Sequence, residues 1–142
     1  MLDSQAPYHF KVRQPGGFDL TIGGVQGRLT VVEYNDTHYE AVSAEKFRRL
    51  MADPAALVLD VRTPGEYKKG HLEGSRLIPI RSLQSRMDSL LPHRQKPVLI
   101  YCASGNRSTV GSKILVDNGF TKIYNLRRGI RDWQKKSYPV VK

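Results

Sequence analysis

From Tyr39 onward, short and nearly continuous apolar segments alternate with stretches whose apolar residues recur at helical spacing, and few architectures accept that pattern. Residues 40–42, 56–61, 97–101 and 122–126 read as strands, rich in Val, Ile, Leu and Tyr. Between them, Ser43 sits at an N-cap position ahead of a helix whose inner face is Phe47, Leu50 and Met51, closed by Asp53-Pro54. Residues 82–91 place Leu83, Met87, Leu90 and Leu91 at helical spacing, with Pro92 beyond, and predict a second helix. Residues 108–118 carry Val110, Ile114 and Leu115 on one side, with Gly119 as the stop, and residues 130–136 predict a last helix. Strands that are apolar on both faces, separated by amphipathic helices, imply an α/β fold: a mainly parallel sheet flanked by helices on both faces. In open sheets of that kind, ligands gather at the carboxyl ends of the strands.

Residues 1–38 follow a different rule. Phe18, Leu20 and Ile22 alternate with polar positions, a glycine-rich stretch follows at 23–27, and residues 28–34 run as a second strand. The pattern predicts a small β-hairpin, an appendage to the domain at 39–142 or the remnant of a preceding one. At 142 residues the chain suffices for one domain with an appendage and a real core. Its apolar fraction of 39% and charged fraction of 25% are ordinary for a globular protein, and no apolar stretch approaches the length of a membrane span. Residues 1–10 lack the basic-then-apolar order of a signal peptide. The single cysteine excludes an internal disulfide and leaves the compartment open.

The net charge of +10 is unevenly spread, since the first 38 residues hold three basic and four acidic side chains. The remainder is therefore strongly basic and attracts anions of any size. Its densest patch is Arg127, Arg128, Arg131, Lys135 and Lys136. With no interleaved aromatics and no nucleic-acid motif, that patch reads as a solvated helical face, and nucleic acid is not expected as a partner.

The chain's one cysteine stands where the chemistry is expected. In Tyr101-Cys102-Ala103-Ser104-Gly105-Asn106-Arg107-Ser108, an apolar strand runs directly into a helix start. Such a position faces free backbone N–H groups and the positive end of a helix dipole, both of which favour an anion such as a thiolate. Gly105 permits tight curvature, Asn106 tolerates unusual dihedrals, and Arg107 adds a charge and a planar fork suited to an oxyanion. Ser104 and Ser108 either hydrogen-bond a bound anion or satisfy the loop backbone. The segment predicts a reactive-cysteine anion site. Asp60, Arg62 and Glu66 suggest paired acid–base groups less than they suggest carboxylates and a guanidinium bracing a strand-end turn near the site. His9, His38, His71 and His93 lie at no metal-ligand spacing with one another or with Cys102, so no metal and no cofactor is expected.

Four blocks together resemble the rhodanese family of sulfurtransferases. They are Leu59-Asp60-Val61-Arg62-Thr63-Pro64-Gly65-Glu66-Tyr67, Gly70-His71-Leu72-Glu73-Gly74-Ser75, the Cys102 loop, and Leu126-Arg127-Arg128-Gly129-Ile130-Arg131-Asp132-Trp133. Glu73, Ser75 and Arg128 stand where the family often has proline, alanine and glycine. The resemblance implies a five-stranded rhodanese-type sheet over about residues 39–138. It implies a Cys102 persulfide loaded by thiosulfate or a persulfide donor and surrounded by the amides of residues 103–107, with Arg107 binding the donor or stabilising charge. It also implies a structural, hydrogen-bonding His71 and an acceptor left open, a protein thiol included; Trp133, as a large aromatic, reads as core packing and not as a substrate contact. The rival reading is a sulfur-carrier or docking module of a larger protein with little turnover of its own. Relatives that act on phosphate or arsenate have a loop one residue longer; here arginine would have to stand at 108, which is serine, so phosphatase or arsenate reductase chemistry fits poorly.

Overall fold

The computed structural model describes residues 16–22, 24–31 and 36–142, which fall into two compact units. In the first, β1 (Gly16–Ile22) and β2 (Val25–Val31) pair antiparallel from Gly16 opposite Val31 to Ile22 opposite Val25. The second strand thus begins three residues before its predicted start, and Val25–Gly27 belong to the ladder and not to the connection. Gly24, at φ 82, takes the left-handed conformation that so short a turn demands and glycine allows. The rest of that predicted strand, residues 32–34, lies outside the described residues.

The second unit runs β3 (Tyr39–Val42), α1 (Ala44–Leu50), β4 (Leu57–Asp60), α2 (Pro64–Lys69), β5 (Arg76–Leu77), β6 (Val98–Tyr101), α3 (Asn106–Asp117), β7 (Ile123–Leu126) and α4 (Gly129–Lys135). Its five strands lie in the order β3-β7-β6-β4-β5, every pair parallel. Central β6 is buried at all four positions, which is why it reads as an unbroken apolar run. Because neighbouring residues of a strand face opposite ways, Ile100 joins a core with Leu59, Leu83, Leu115 and Phe120. Leu99 joins a second core with Phe47, Leu72 and Trp133. Phe47 meets Tyr101 and Trp133 edge-on, with ring centres 6.4 and 6.2 Å away. The predicted α/β sheet with helices on both faces is therefore present.

Residues 82–91 depart from the prediction. They form short 3-10 turns, at Ile80–Ser82 and Met87–Ser89, followed by a third at Leu91–His93. Leu83, Met87 and Leu90 still point into the core. Serine hydroxyls compete for carbonyls within the segment: Ser85 Oγ donates to Ser82 O, and Ser89 Oγ to Arg86 O. Arg86 O accordingly takes Ser89 N–H and Oγ and no i+4 amide, while Ser82 O keeps its i+4 bond from Arg86 N–H, and Pro79 and Pro92 confine the segment on both sides. Periodicity gave no hint of α2, which buries no residue. It stands on its ends instead, with Pro64 in the first turn and a reciprocal capping box between Thr63 and Glu66.

From β4 the chain crosses to β5 on one side, and from β6 to β7 on the other. That reversal makes the carboxyl ends of β4 and β6 the topological switch point of the sheet, where ligands of such folds gather.

Candidate active site

Cys102 follows the end of β6 at that switch point, and only 1% of its surface is exposed. The Gly105 N–H donates to its Sγ at 3.1 Å. The Ser108 hydroxyl lies 3.4 Å from the sulfur and 3.1 Å from Gly105 O, so its single proton serves one or the other. Gly105 is at φ 100, and a Cβ there would fall 2.3 Å from Arg127 O. Glycine is required on both counts. Behind the loop, Ile130 N–H donates to Cys102 O at 2.9 Å and Arg131 N–H to Ala103 O at 3.2 Å. The start of α4 thus occupies the first two loop carbonyls. Gly129, at φ 64, lets the two backbones touch, since a Cβ would sit 2.4 Å from Ala103 C. Ala103 and Ser104 are half-buried and Asn106 is exposed on the first turn of α3.

The charged groups sort into two pairs. Asp60 and Arg62, both buried, face each other through Nη2–Oδ2 at 2.7 Å and Nε contacts at 3.0 Å, and Arg62 Nη2 also donates to Gly70 O. Burial works against the Arg62 charge, but the bonds to Asp60 outweigh it and raise the guanidinium pKa. Glu66 turns to the other strand end, where its two oxygens take Arg107 Nη1 at 2.9 Å and Nη2 at 2.8 Å. Thr63 adds its N–H and hydroxyl, each at 2.9 Å. The Arg107 bonds are the main cause that holds Glu66 down at a pKa of about 2, and the same bonds raise that of Arg107. The carboxylates read together in the sequence therefore divide, one bracing β4 and one reaching the cysteine loop.

His71 stacks on Tyr67 with ring centres 3.6 Å apart, and its Nδ1 lies 2.9 Å from Tyr67 O. Its backbone exchanges two hydrogen bonds with Val141. Trp133 is 2% exposed, and its Nε1–H donates to Pro139 O. Among the described residues, no three His, Cys, Asp or Glu side chains converge as a metal site requires. The polar partner absent from the sequence reading is Tyr101. Its buried hydroxyl accepts from Leu72 N–H and shares a proton with Ser75 Oγ, both at 3.1 Å, beneath the Arg62 guanidinium. Burial first, and then Asp60, push its pKa up, so it stays a neutral hydrogen-bonding group. A phenol at the end of a fully buried strand was the available signal, because such a hydroxyl must find partners.

A buried cysteine met by an amide at a helix start, at the switch point of a parallel sheet, defines a class of single-cysteine α/β domains. Residues 43–136 match the Rhodanese-like domain, and the chain belongs to that family. It is 35% identical over 103 residues to the uncharacterized protein YqhL of Bacillus subtilis, covering 72% of this chain and 79% of that protein. It is 27% identical to the tRNA uridine(34) hydroxylase of Escherichia coli over 80% of this chain but only 35% of that protein. Among solved structures, a rhodanese-related protein from Thermoplasma volcanium is 34% identical, with a TM-score of 0.65 over 72% of this chain and 98% of that one. A thiosulfate sulfurtransferase from Pseudomonas aeruginosa is 27% identical, with a TM-score of 0.65 over 73% of this chain and 20% of that one.

Proposed function

We propose that the domain is a sulfurtransferase that carries sulfane sulfur as a persulfide on Cys102. The carrying observation is the sulfur itself, held 3.1 Å from the Gly105 amide with the Ser108 hydroxyl beside it. Neutral donors of that kind, fixed in place before reaction, stabilise charge on one sulfur atom or on a persulfide built from it. With thiosulfate, the Cys102 thiolate attacks the outer sulfur, a Sγ–S bond forms, and sulfite leaves with the electron pair of the broken S–S bond. An acceptor such as cyanide then takes the outer sulfur as thiocyanate and returns the thiolate, two half-reactions sharing one covalent intermediate. The family and the name of the Pseudomonas aeruginosa relative support this chemistry. Ala103, Ser104, Gly105 and Asn106 shape the cradle, while Asp60, Arg62 and His71 hold the strand ends that carry it. Intact mass spectrometry after incubation with thiosulfate tests the reading. The native chain gains one sulfur atom that cyanide removes, and Cys102→Ser gains none; a reduced, folded protein that gains nothing from any sulfane donor refutes it.

A further inference from the structure

Two guanidinium groups stand at the strand ends beside Cys102, and each is already matched. Arg62 is closed against Asp60, and both terminal nitrogens of Arg107 bond Glu66. Across residues 60–66 and 102–108 these four side chains are the only charged ones, and they sum to zero. What meets the sulfur is neutral: one amide and one hydroxyl. Arg127 and Arg128 on the β7–α4 turn and Arg131 in the first turn of α4 are exposed to solvent. There they hasten the approach of any anion and are screened by salt.

Resting on the sulfur-transfer reading above, we infer that Glu66 sets the charge of the sulfur donor: by holding Arg107 it makes the site favour a hydropersulfide, R–S–SH, over the thiosulfate dianion. The amide and hydroxyl suit the single charge of a thiolate or persulfide. A dianion needs an unmatched cation in addition, and Glu66 cancels the one that α3 supplies. A hydropersulfide needs none. The Cys102 thiolate attacks its outer sulfur, the Sγ–S bond forms, the donor S–S bond breaks, and the proton passes to the departing thiolate, leaving R–SH and the Cys102 persulfide anion. Glu66 touches no reacting atom. It is a positioning residue that acts through Arg107, and its third hold, on Thr63, keeps it from following an incoming anion.

The test is single-turnover sulfur loading of the full chain, read by intact mass, with thiosulfate and with the hydropersulfide of 2-mercaptoethanol. The native chain is expected to load more efficiently from the hydropersulfide. Glu66→Gln keeps the size and the acceptor for Thr63 but releases Arg107. It should move the ratio of specificity constants at least fivefold toward thiosulfate, through a lower KM for thiosulfate. Glu66→Asp, which keeps the charge, should leave that ratio within twofold of the native value; a loss of structure alone would slow both donors alike. Should Glu66→Gln fail to fold, the double variant Glu66→Gln/Arg107→Gln decides. Its pair is as neutral as the native one and should preserve the ratio, whereas a tenfold loss confined to thiosulfate would make Arg107 the donor's own ligand and overturn the inference. A native preference for thiosulfate, or a ratio unmoved in folded Glu66→Gln, overturns it equally. Loading from neither donor would instead refute sulfur transfer itself.

Discussion

The carboxyl ends of β4 and β6 lie side by side, yet they are closed by different means. At β4 the closure is made of side chains, with Asp60, Arg62 and the Tyr101 hydroxyl buried around one another. At β6 it is made of main chain: Gly105 N–H on the sulfur, and Ile130 and Arg131 N–H on the loop carbonyls. A buried ion pair is rigid but needs its whole partner set, because one charge left alone in the interior is costly. Amides carry no net charge and keep their direction whatever the sulfur's charge. The contrast shows how two neighbouring strand ends can be firmly built, one by paired charges and the other by amides with no net charge.

The largest effect should come from breaking the β4 closure. Arg62→Met leaves Asp60 buried and unpaired, and urea denaturation should show a loss of about 3–5 kcal/mol. The double variant Asp60→Asn/Arg62→Met should recover part of it, since no charge is then stranded. On the β6 side, Gly129→Ala drives a methyl into Ala103 and strains a left-handed backbone, at a cost of about 2–4 kcal/mol. Gly65→Ala, with nothing within 4 Å of the new methyl, is its control and should be neutral or slightly stabilising. Tyr101→Phe strands the buried Leu72 N–H, and thermal unfolding should register a loss of about 1–2 kcal/mol without removing Cys102 reactivity. Ser108→Ala removes one of two neutral donors near the sulfur and should slow persulfide formation about fivefold, or about 1 kcal/mol, with unfolding unchanged.

The smallest effect is a titration. Glu66 has a folded pKa of about 2 against an ordinary 4.5, so its contribution is complete above that ordinary value and fades as the pH falls toward 2. Glu66 is 33% and Arg107 23% exposed, and solvent screening limits the loss to about 1 kcal/mol. Stability curves of native protein and Glu66→Gln should converge as the solution is acidified; parallel curves would mean the ion pair contributes nothing.

Much of this architecture was legible because local chemistry and tertiary structure agree. The spacing of Phe47, the N-cap at Ser43 and the unbroken apolar run of β6 each have one reading, and each element is present. Cys102 was legible for the same reason, a strand running straight into a helix. Where reading failed, the deciding interaction was either very local or very distant. At 82–91 serine hydroxyls bond carbonyls three residues back and prolines bound the segment, and the helical spacing closes into 3-10 turns. Arg107 finds Glu66 across 41 positions, and Tyr101 finds Leu72 across 29, separations at which no sequence pattern points from one residue to the other. Burial of the Tyr101 ring made a partner obligatory but did not name it.

The strand order bears on how the domain comes into being. β3, the first strand of the sheet, pairs only with β7, the last. Contacts so far apart along the chain form slowly, after the closer ones. The Cys102 loop also waits for chain that follows it, since its carbonyls are anchored by amides at the start of α4. On a ribosome the cysteine therefore emerges well before the segment that seats it, and the surroundings of its sulfur are completed only once α4 has been made. A half-made chain carries the thiol but not the cradle.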